Sequence, residues 1–227
     1  MVTETLAEKT YLGIRKDILT GQLKPGDQLV FRAIAERHGV SLAPVREAVS
    51  RLAAEGLITY IPGAGYFVKK LTKKDLYELY VLREGLESCA AHEAAINSHP
   101  VQLRELENLC QVFEDLAQQI PAEGASQEIR DKWIDAEVQF HELILEASRN
   151  DMLIQFCRNY RMQLQVFESQ RRTPIHLDRK LAELTAGAHR QIYTAIVGRE
   201  PEQARNSMIE HIRHGRDNTI DQFAQYF

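Results

Sequence analysis

The chain has 227 residues, 44% of them hydrophobic, and a formal net charge of -4, which is longer than the commonest single domain and apolar enough for real cores. Nothing approaches the run of about 18 apolar residues that a membrane helix needs, and Cys89, Cys110 and Cys157 are odd in number and form no CxxC pair, which argues against a disulfide framework or zinc finger and suits reduced core thiols. The charge is uneven, with a net +3 on residues 1–70 and -7 on residues 71–227, so the positive excess lies in the first third of the chain.

The opening segment, MVTETLAEKTYLGIRKDILTG, reads as an amphipathic helix with early acidic residues rather than a secretory signal. A cytoplasmic protein with no membrane partner is therefore expected. Residues 31–68, FRAIAERHGVSLAPVREAVSRLAAEGLITYIPGAGYFV, read as helix, tight turn, helix and two-stranded hairpin. In the first helix Ile34, Ala35 and His38 fall at helical spacing, and Gly39 sits where a left-handed cap is needed. Ser41 is the expected N-cap of the second helix, with Pro44 in its first turn. Val45, Ala48, Val49 and Leu52 make one inward stripe, which leaves Leu42, Ala43, Arg46 and Ser50 on or near the open face. Gly56 ends the helix, Leu57 to Ile61 is a β-branched and aromatic run, and Pro62-Gly63-Ala64-Gly65 turns back into Tyr66-Phe67-Val68. This order is a winged helix-turn-helix, and a helix carrying Arg46 and Arg51 before a wing suits duplex DNA. A surplus of +3 is small for tight phosphate binding by one chain, so two copies are expected on the DNA.

From Thr72 onward the pattern is helix after helix. Thr72-Lys73-Lys74-Asp75 opens the first, which holds its apolar spacing to about Ile96. Ser98 to Pro100 breaks it, and further helices are expected over Val101 to Gln119, Gln127 to Ser148, Asn150 to Glu168 and Leu177 to Val197, the last ended by Gly198. The PAEGAS and RRTPIH segments read as loops, and Pro201 opens a final helix as an N1 proline. The fold class is mainly α: a winged helix-turn-helix over residues 1–71 and an all-helical bundle over residues 72–227.

Three histidines of the bundle lie on inward stripes. Glu137 and His141 are four apart on one helix face, His189 lies in the row Thr185, His189, Ile192, Ile196, and His211 follows Ala204 and Met208. Three imidazoles and a carboxylate meeting in a bundle centre would bind a divalent metal with open positions. Spacing equally allows hydrogen-bonded core histidines that never meet.

The N-terminal stretch resembles the DNA-binding domain of GntR-type bacterial transcription regulators, FadR-like branch, through LKPGDQL (Leu23 to Leu29) and above all PVREAVSRLAAEGLI (Pro44 to Ile58). The resemblance implies that Arg32 and Arg46 hold phosphates or guanine edges, that Arg51 supports the backbone contact, and that Gly63 and Gly65 let the wing approach a minor groove. Ser41, Leu42 and Pro44 complete the expected DNA-contacting set at the start of the recognition helix. Two departures stand out: Leu42 and Ala64 occupy positions where that branch usually has basic residues. A contact between Leu42 and a thymine methyl is one replacement.

Residues 75–223 resemble the FCD ligand-binding domain found behind such winged helices. The carrying motifs are LREGLESCAAHEA, EVQFHELILEASRN, AHRQIYTAIVGREPEQA and MIEHI. The resemblance implies a metal held by Glu137, His141, His189 and His211, although Asp is usual where this chain has Glu137. Imidazole ligands suit zinc or nickel. Arg83 matches a cavity-facing arginine, suited to a small carboxylate effector; the alternative is an ion pair with Glu87 one turn on. Tyr80, Tyr160 and Arg161 either line the effector cavity or pack between helices. The whole implies a homodimeric, ligand-responsive regulator, repressor in sign, on a double-stranded operator. Two other readings are a metal-dependent hydrolase, disfavoured because His141-Glu142 lacks the second histidine of HExxH, and a regulator whose metal is purely structural.

Overall fold

Caps and stripes place the winged helix where the pattern puts it. In the computed structural model, which describes residues 5–170 and 176–222, Thr5 opens helix α1 (Leu6–Leu19) by accepting from the Glu8 amide at 3.1 Å. Helix α2 (Phe31–His38) ends on Gly39, left-handed at φ 64°, a conformation in which a Cβ is strained. Helix α3 (Leu42–Ala54) follows Ser41, which has the extended backbone of an N-cap but accepts no capping hydrogen bond. This departs from the expectation, and Pro44 supplies the reason: it is the third residue of the helix and has no N–H to donate to the serine.

The stripe of α3 is fully inward, with Val45, Ala48, Val49 and Leu52 at most 1% exposed. It packs with Tyr11, Ile14 and Ile18 of α1 and with Ile34 and Ala35 of α2. Each side chain of that size contributes roughly 1.5–3 kcal/mol by leaving water.

Strands β1 (Ile58–Ile61) and β2 (Gly65–Val68) pair antiparallel, from Ile58 opposite Val68 to Ile61 opposite Gly65. Ala64 donates its amide to the Ile61 carbonyl at 3.0 Å. With Pro62 second and Gly63 third at φ 78°, this is a type II turn, whose third residue must tolerate positive φ. The preceding link also joins the wing: Leu29 donates to Tyr66 O at 2.8 Å, Val68 donates to Asp27 O at 2.9 Å, and the Gln28 amide reaches Ala64 O at 2.7 Å.

Six helices follow among the described residues: α4 (Lys73–Asn97), α5 (Pro100–Gln119), α6 (Gln127–Ala147), α7 (Asp151–Gln170), α8 (Arg179–Val197) and α9 (Pro201–Asp221). Thr72 and Asp75 cap α4 reciprocally, backbone to side chain, at 2.8 and 3.1 Å. Ser126 and Asp178 accept from Ile129 and Leu181 at the starts of α6 and α8. Asp178 thus starts α8 two residues later than the apolar pattern places it. Residues 171–175 of the expected RRTPIH loop lie outside the described residues. None of the described helices is long and apolar enough to cross a membrane.

Gly198 does close α8, but in the ordinary right-handed region at φ -71°. The left-handed residue is Arg199 at φ 58°, which costs a non-glycine residue about 1–2 kcal/mol. Its guanidinium offsets this by donating to Ala95 O at 3.0 Å, Ser98 Oγ at 2.9 Å and Ser98 O at 2.9 Å, so it satisfies acceptors at the end of α4.

The chain forms two compact units. One holds the winged helix through Leu76 together with α7 from Arg158 onward; the other holds Tyr77–Cys157 with α8 and α9. Helix α7 therefore contributes to both. Within the first unit Met162 packs on the winged-helix core, and the Gln163 amide donates to Glu55 O at 3.1 Å. In the second unit Ala90, Ala91, Ala94 and Ala95 of α4 are fully buried, as are Phe113 of α5, Phe140 of α6 and Ile192 of α8. Cys110 is buried there too, and burial pushes its thiol up to about 12, so it is an inert core residue. Cys157 is buried and Cys89 half-buried, both as free thiols.

Candidate DNA-binding face and metal centre

On the winged helix the sequence-selected arginines separate into two kinds. Arg32 on α2 and Arg46 on α3 are exposed, with no ion pair or hydrogen bond to any described residue. Arg51 is 48% exposed but committed: it donates to Glu8 at 2.6 Å and Glu55 at 3.2 Å, and its guanidinium lies 3.7 Å from the centre of the Tyr11 ring. It ties α3 to α1. Ser41 and Leu42 are exposed at the start of α3, with Pro44 half-buried. Gly63 and Gly65 have φ of 78° and 106°, so the wing's backbone needs them whatever the wing touches. Tyr60, exposed on β1 and 5.0 Å from the Tyr66 ring, is an aromatic on the wing that sequence reading passed over.

In the second unit four residues converge. Glu137 and His141, one turn apart on α6, meet His189 of α8 and His211 of α9, with one ligand atom from each within 4.8 Å of all the others. His141 Nε2 stands 3.1 Å from His211 Nε2 and 3.4 Å from Glu137 Oε2. His189 Nε2 stands 3.5 Å from that same Glu137 oxygen. The extra methylene of Glu137 thus reaches the cluster, while Asp135 is exposed. Phe113 stacks on His189 at 4.1 Å and Phe140 meets it edge-on at 4.6 Å, so aromatic walls exclude water from that side.

Burial holds the His189 imidazole below its usual range and His211 well below it, the neighbouring imidazoles adding to the effect. For Glu137 burial works in the opposite direction, but the imidazoles of His189 and His141 outweigh it and hold the carboxyl well below its usual range. His189 and His211 are thus held toward the neutral form with its lone pair, and Glu137 toward the carboxylate, the protonation states a metal requires. His189 is fully buried, yet neither of its ring nitrogens has a hydrogen-bond partner among the described residues. Such a group needs an explanation. Donors bound tetrahedrally at about 2.0–2.1 Å lie roughly 3.3–3.4 Å apart, close to the 3.1, 3.4 and 3.5 Å of three of these pairs, with all four donors within 4.8 Å. The donor set fits a borderline divalent ion.

Arg83 on α4 faces the same cluster, with Nη2 at 3.2 Å from His141 Nε2 and Nε at 2.8 Å from Glu87 Oε1. The ion pair with Glu87 therefore forms, and the same guanidinium also reaches His141. Tyr80 lies beside it, its ring centre 5.6 Å from the guanidinium and its hydroxyl 3.1 Å from Thr219 Oγ1. Tyr160 is buried and Arg161 half-buried on the part of α7 that belongs to the first unit. By sequence Glu87 is only an ion-pair partner of Arg83. Its second oxygen adjoins His141 Nδ1, a contact between helices that spacing along one helix cannot reveal.

A winged helix with exposed arginines on its recognition helix, followed by a helical bundle with a buried ligand-type cluster, is the build of a DNA-binding transcription regulator rather than an enzyme. Residues 6–68 match the bacterial regulatory proteins of the gntR family and residues 78–214 match the FCD domain. The chain belongs to the GntR family and carries an FCD domain. It is 28% identical over 216 residues to the uncharacterized HTH-type transcriptional regulator YdhC of Bacillus subtilis, covering 90% of this chain and 86% of that one. It is 29% identical over 208 residues to a probable D-xylose utilization operon transcriptional repressor of Paenarthrobacter nicotinovorans, covering 92% and 86%. The solved structure of E. coli McbR/YncC shares the fold, with a TM-score of 0.71, 20% identity and coverage of 97% and 100%.

Proposed function

We propose that the chain is an effector-controlled repressor, with residues 1–71 reading an operator and residues 72–227 binding the effector and forming a homodimer in the cytoplasm. The observation that carries this is the convergence of Glu137, His141, His189 and His211 within 4.8 Å in the second unit. These residues would hold zinc or nickel, and an ion taking ligands beyond these four would supply a Lewis-acidic position for a carboxylate oxygen. Arg83, at 3.2 Å from His141 Nε2, offers a guanidinium to the same carboxylate. Tyr80 packs against that guanidinium.

On the DNA side, two copies present Arg32 and Arg46 to half-sites of a pseudo-palindrome. Ser41, Leu42 and Pro44 meet the DNA at the tip of α3, with Gly63 and Gly65 at the wing. Arg51 acts on DNA only through the α1–α3 packing it secures. Repression as the sign of regulation is supported by the relative named a repressor. An effector that prefers one arrangement of the dimer shifts operator affinity, and by linkage DNA shifts effector affinity by the same factor.

The test uses the purified full chain, stripped of metal by chelation and reloaded with zinc, with an operator selected from random duplexes. A panel of small mono- and dicarboxylates is then titrated. At least one acid is expected to change operator affinity in the zinc-loaded protein and to have no such effect in the stripped one. Equal responses from both forms would overturn the metal part; operator affinity independent of every acid would overturn the effector part.

A further inference from the structure

We infer that Glu87 is a positioning residue for the cluster, fixing the imidazole of His141 so that its Nε2 lone pair faces the ligand side. This rests on the metal reading above. Glu87 is 1% exposed and stands on α4, a helix that contributes none of the four ligand residues. Its two oxygens are divided between two partners: Oε1 accepts from Arg83 Nε at 2.8 Å, and Oε2 adjoins His141 Nδ1.

The chemistry of these contacts leaves one arrangement. An ionised carboxylate only accepts, so the Nδ1 facing Glu87 must carry the hydrogen. A guanidinium only donates, so the Nε2 lying 3.2 Å from Arg83 Nη2 must present its lone pair. The Glu87 and Arg83 contacts thus specify the same tautomer; Glu137 Oε2, 3.4 Å from Nε2, would favour a hydrogen there, but it shares that nitrogen with the closer Arg83 guanidinium, which can only donate. Nε2 is also the atom that lies 3.1 Å from His211 Nε2 and 3.4 Å from Glu137 Oε2, so the lone pair points into the cluster. With the other tautomer, a buried carboxylate would face an imidazole lone pair, and the ring would lose the donor that holds its plane.

Arg83 makes this stable, because it pairs the buried charge of Glu87 within the same helix. Arg83, Glu87 and His141 thus form a relay in which the arginine seats the carboxylate and the carboxylate seats the ligand. A carboxylate behind a ligating imidazole also raises its basicity, and loss of such a partner typically lowers metal affinity by about 10–100-fold. Glu87 meets the ring on its Nδ1 side and is not among the four ligand residues.

The experiment has two arms on the full chain. Long-range nitrogen-15 spectra of the metal-stripped wild type, with His141 assigned through His141→Asn, are expected to show the hydrogen on Nδ1; a hydrogen on Nε2 overturns the inference and needs no Glu87 variant to fold. Zinc affinity is then measured by competition with a chromophoric chelator. Glu87→Gln, with its helical circular dichroism intact, is expected to bind about 10–100-fold more weakly. Wild type that binds zinc while Glu87→Gln binds equally well overturns the role of Glu87 alone. Wild type that binds no zinc overturns the metal reading and this inference together.

Discussion

Zinc added to the metal-stripped chain is expected to raise the melting temperature of one unit and leave the other unmoved. The reason is location: all four ligand residues lie on α6, α8 and α9 in the second unit, and the winged helix contributes none of them. An ion at a hundred times its dissociation constant stabilises the state that binds it by about 2.7 kcal/mol. In a chain of this size each kcal/mol moves the midpoint by about 2–4 °C, so the expected rise is roughly 5–11 °C. Little reorganisation is charged against it, since donor atoms at 3.1, 3.4 and 3.5 Å already have the spacing an ion requires. Differential scanning calorimetry of wild type and of the triple variant His141→Ala, His189→Ala, His211→Ala makes the comparison. A flat wild-type response, or an equal rise in the triple variant, would refute the reasoning; so would a rise confined to the winged helix.

Four further outcomes are expected. His189→Leu should abolish the zinc response while leaving metal-free stability little changed, because removing a buried imidazole without hydrogen-bond partners gains about 1–3 kcal/mol while Glu137 loses its neighbour at 3.5 Å; thermal melts with and without zinc decide it, and a zinc response kept by the variant contradicts it. Arg46→Ala should weaken specific operator binding by about 1–3 kcal/mol, roughly 5–160-fold, if it reads a guanine. Arg51→Ala should instead cost stability, about 1 kcal/mol from its aromatic contact and exposed ion pairs; binding titrations set beside melts separate the two arginines. Glu84 is held below its ordinary value of 4.5, chiefly by hydrogen bonds from Arg213. A depressed carboxylate contributes stability that is full above pH 4.5 and lost as pH falls through the folded value, so the advantage of wild type over Glu84→Gln should vanish on acidification. An advantage that grew below pH 4.5 would contradict this assignment.

Much of the winged helix was legible because its signals are local. The stripe Val45, Ala48, Val49, Leu52, the left-handed Gly39 and the Pro62-Gly63 turn each follow from a few adjacent residues, and the structure keeps all three. The departures are also local, but they needed the helix register. Ser41 lost its capping bond because Pro44 fell on the third helical position, and Gly198 ends α8 as expected while the left-handed residue is Arg199, whose guanidinium finds acceptors at the end of α4. No pattern within α8 contains that information.

The candidate site divides in the same way. Sequence by itself determined the helices, which of their faces turn inward, and hence that Glu137, His141, His189 and His211 stand on core-facing stripes, since helical periodicity couples residues three and four apart. It also determined the family, whose motifs run through contiguous stretches. Only tertiary structure decided that these four side chains meet, that Arg51 is bound to α1 while Arg46 is left unpaired among the described residues, and that Glu87 of α4 stands behind His141 of α6. Those facts depend on how separate helices pack, and packing is settled by side-chain shape and burial across elements distant in the chain, which no local spacing encodes.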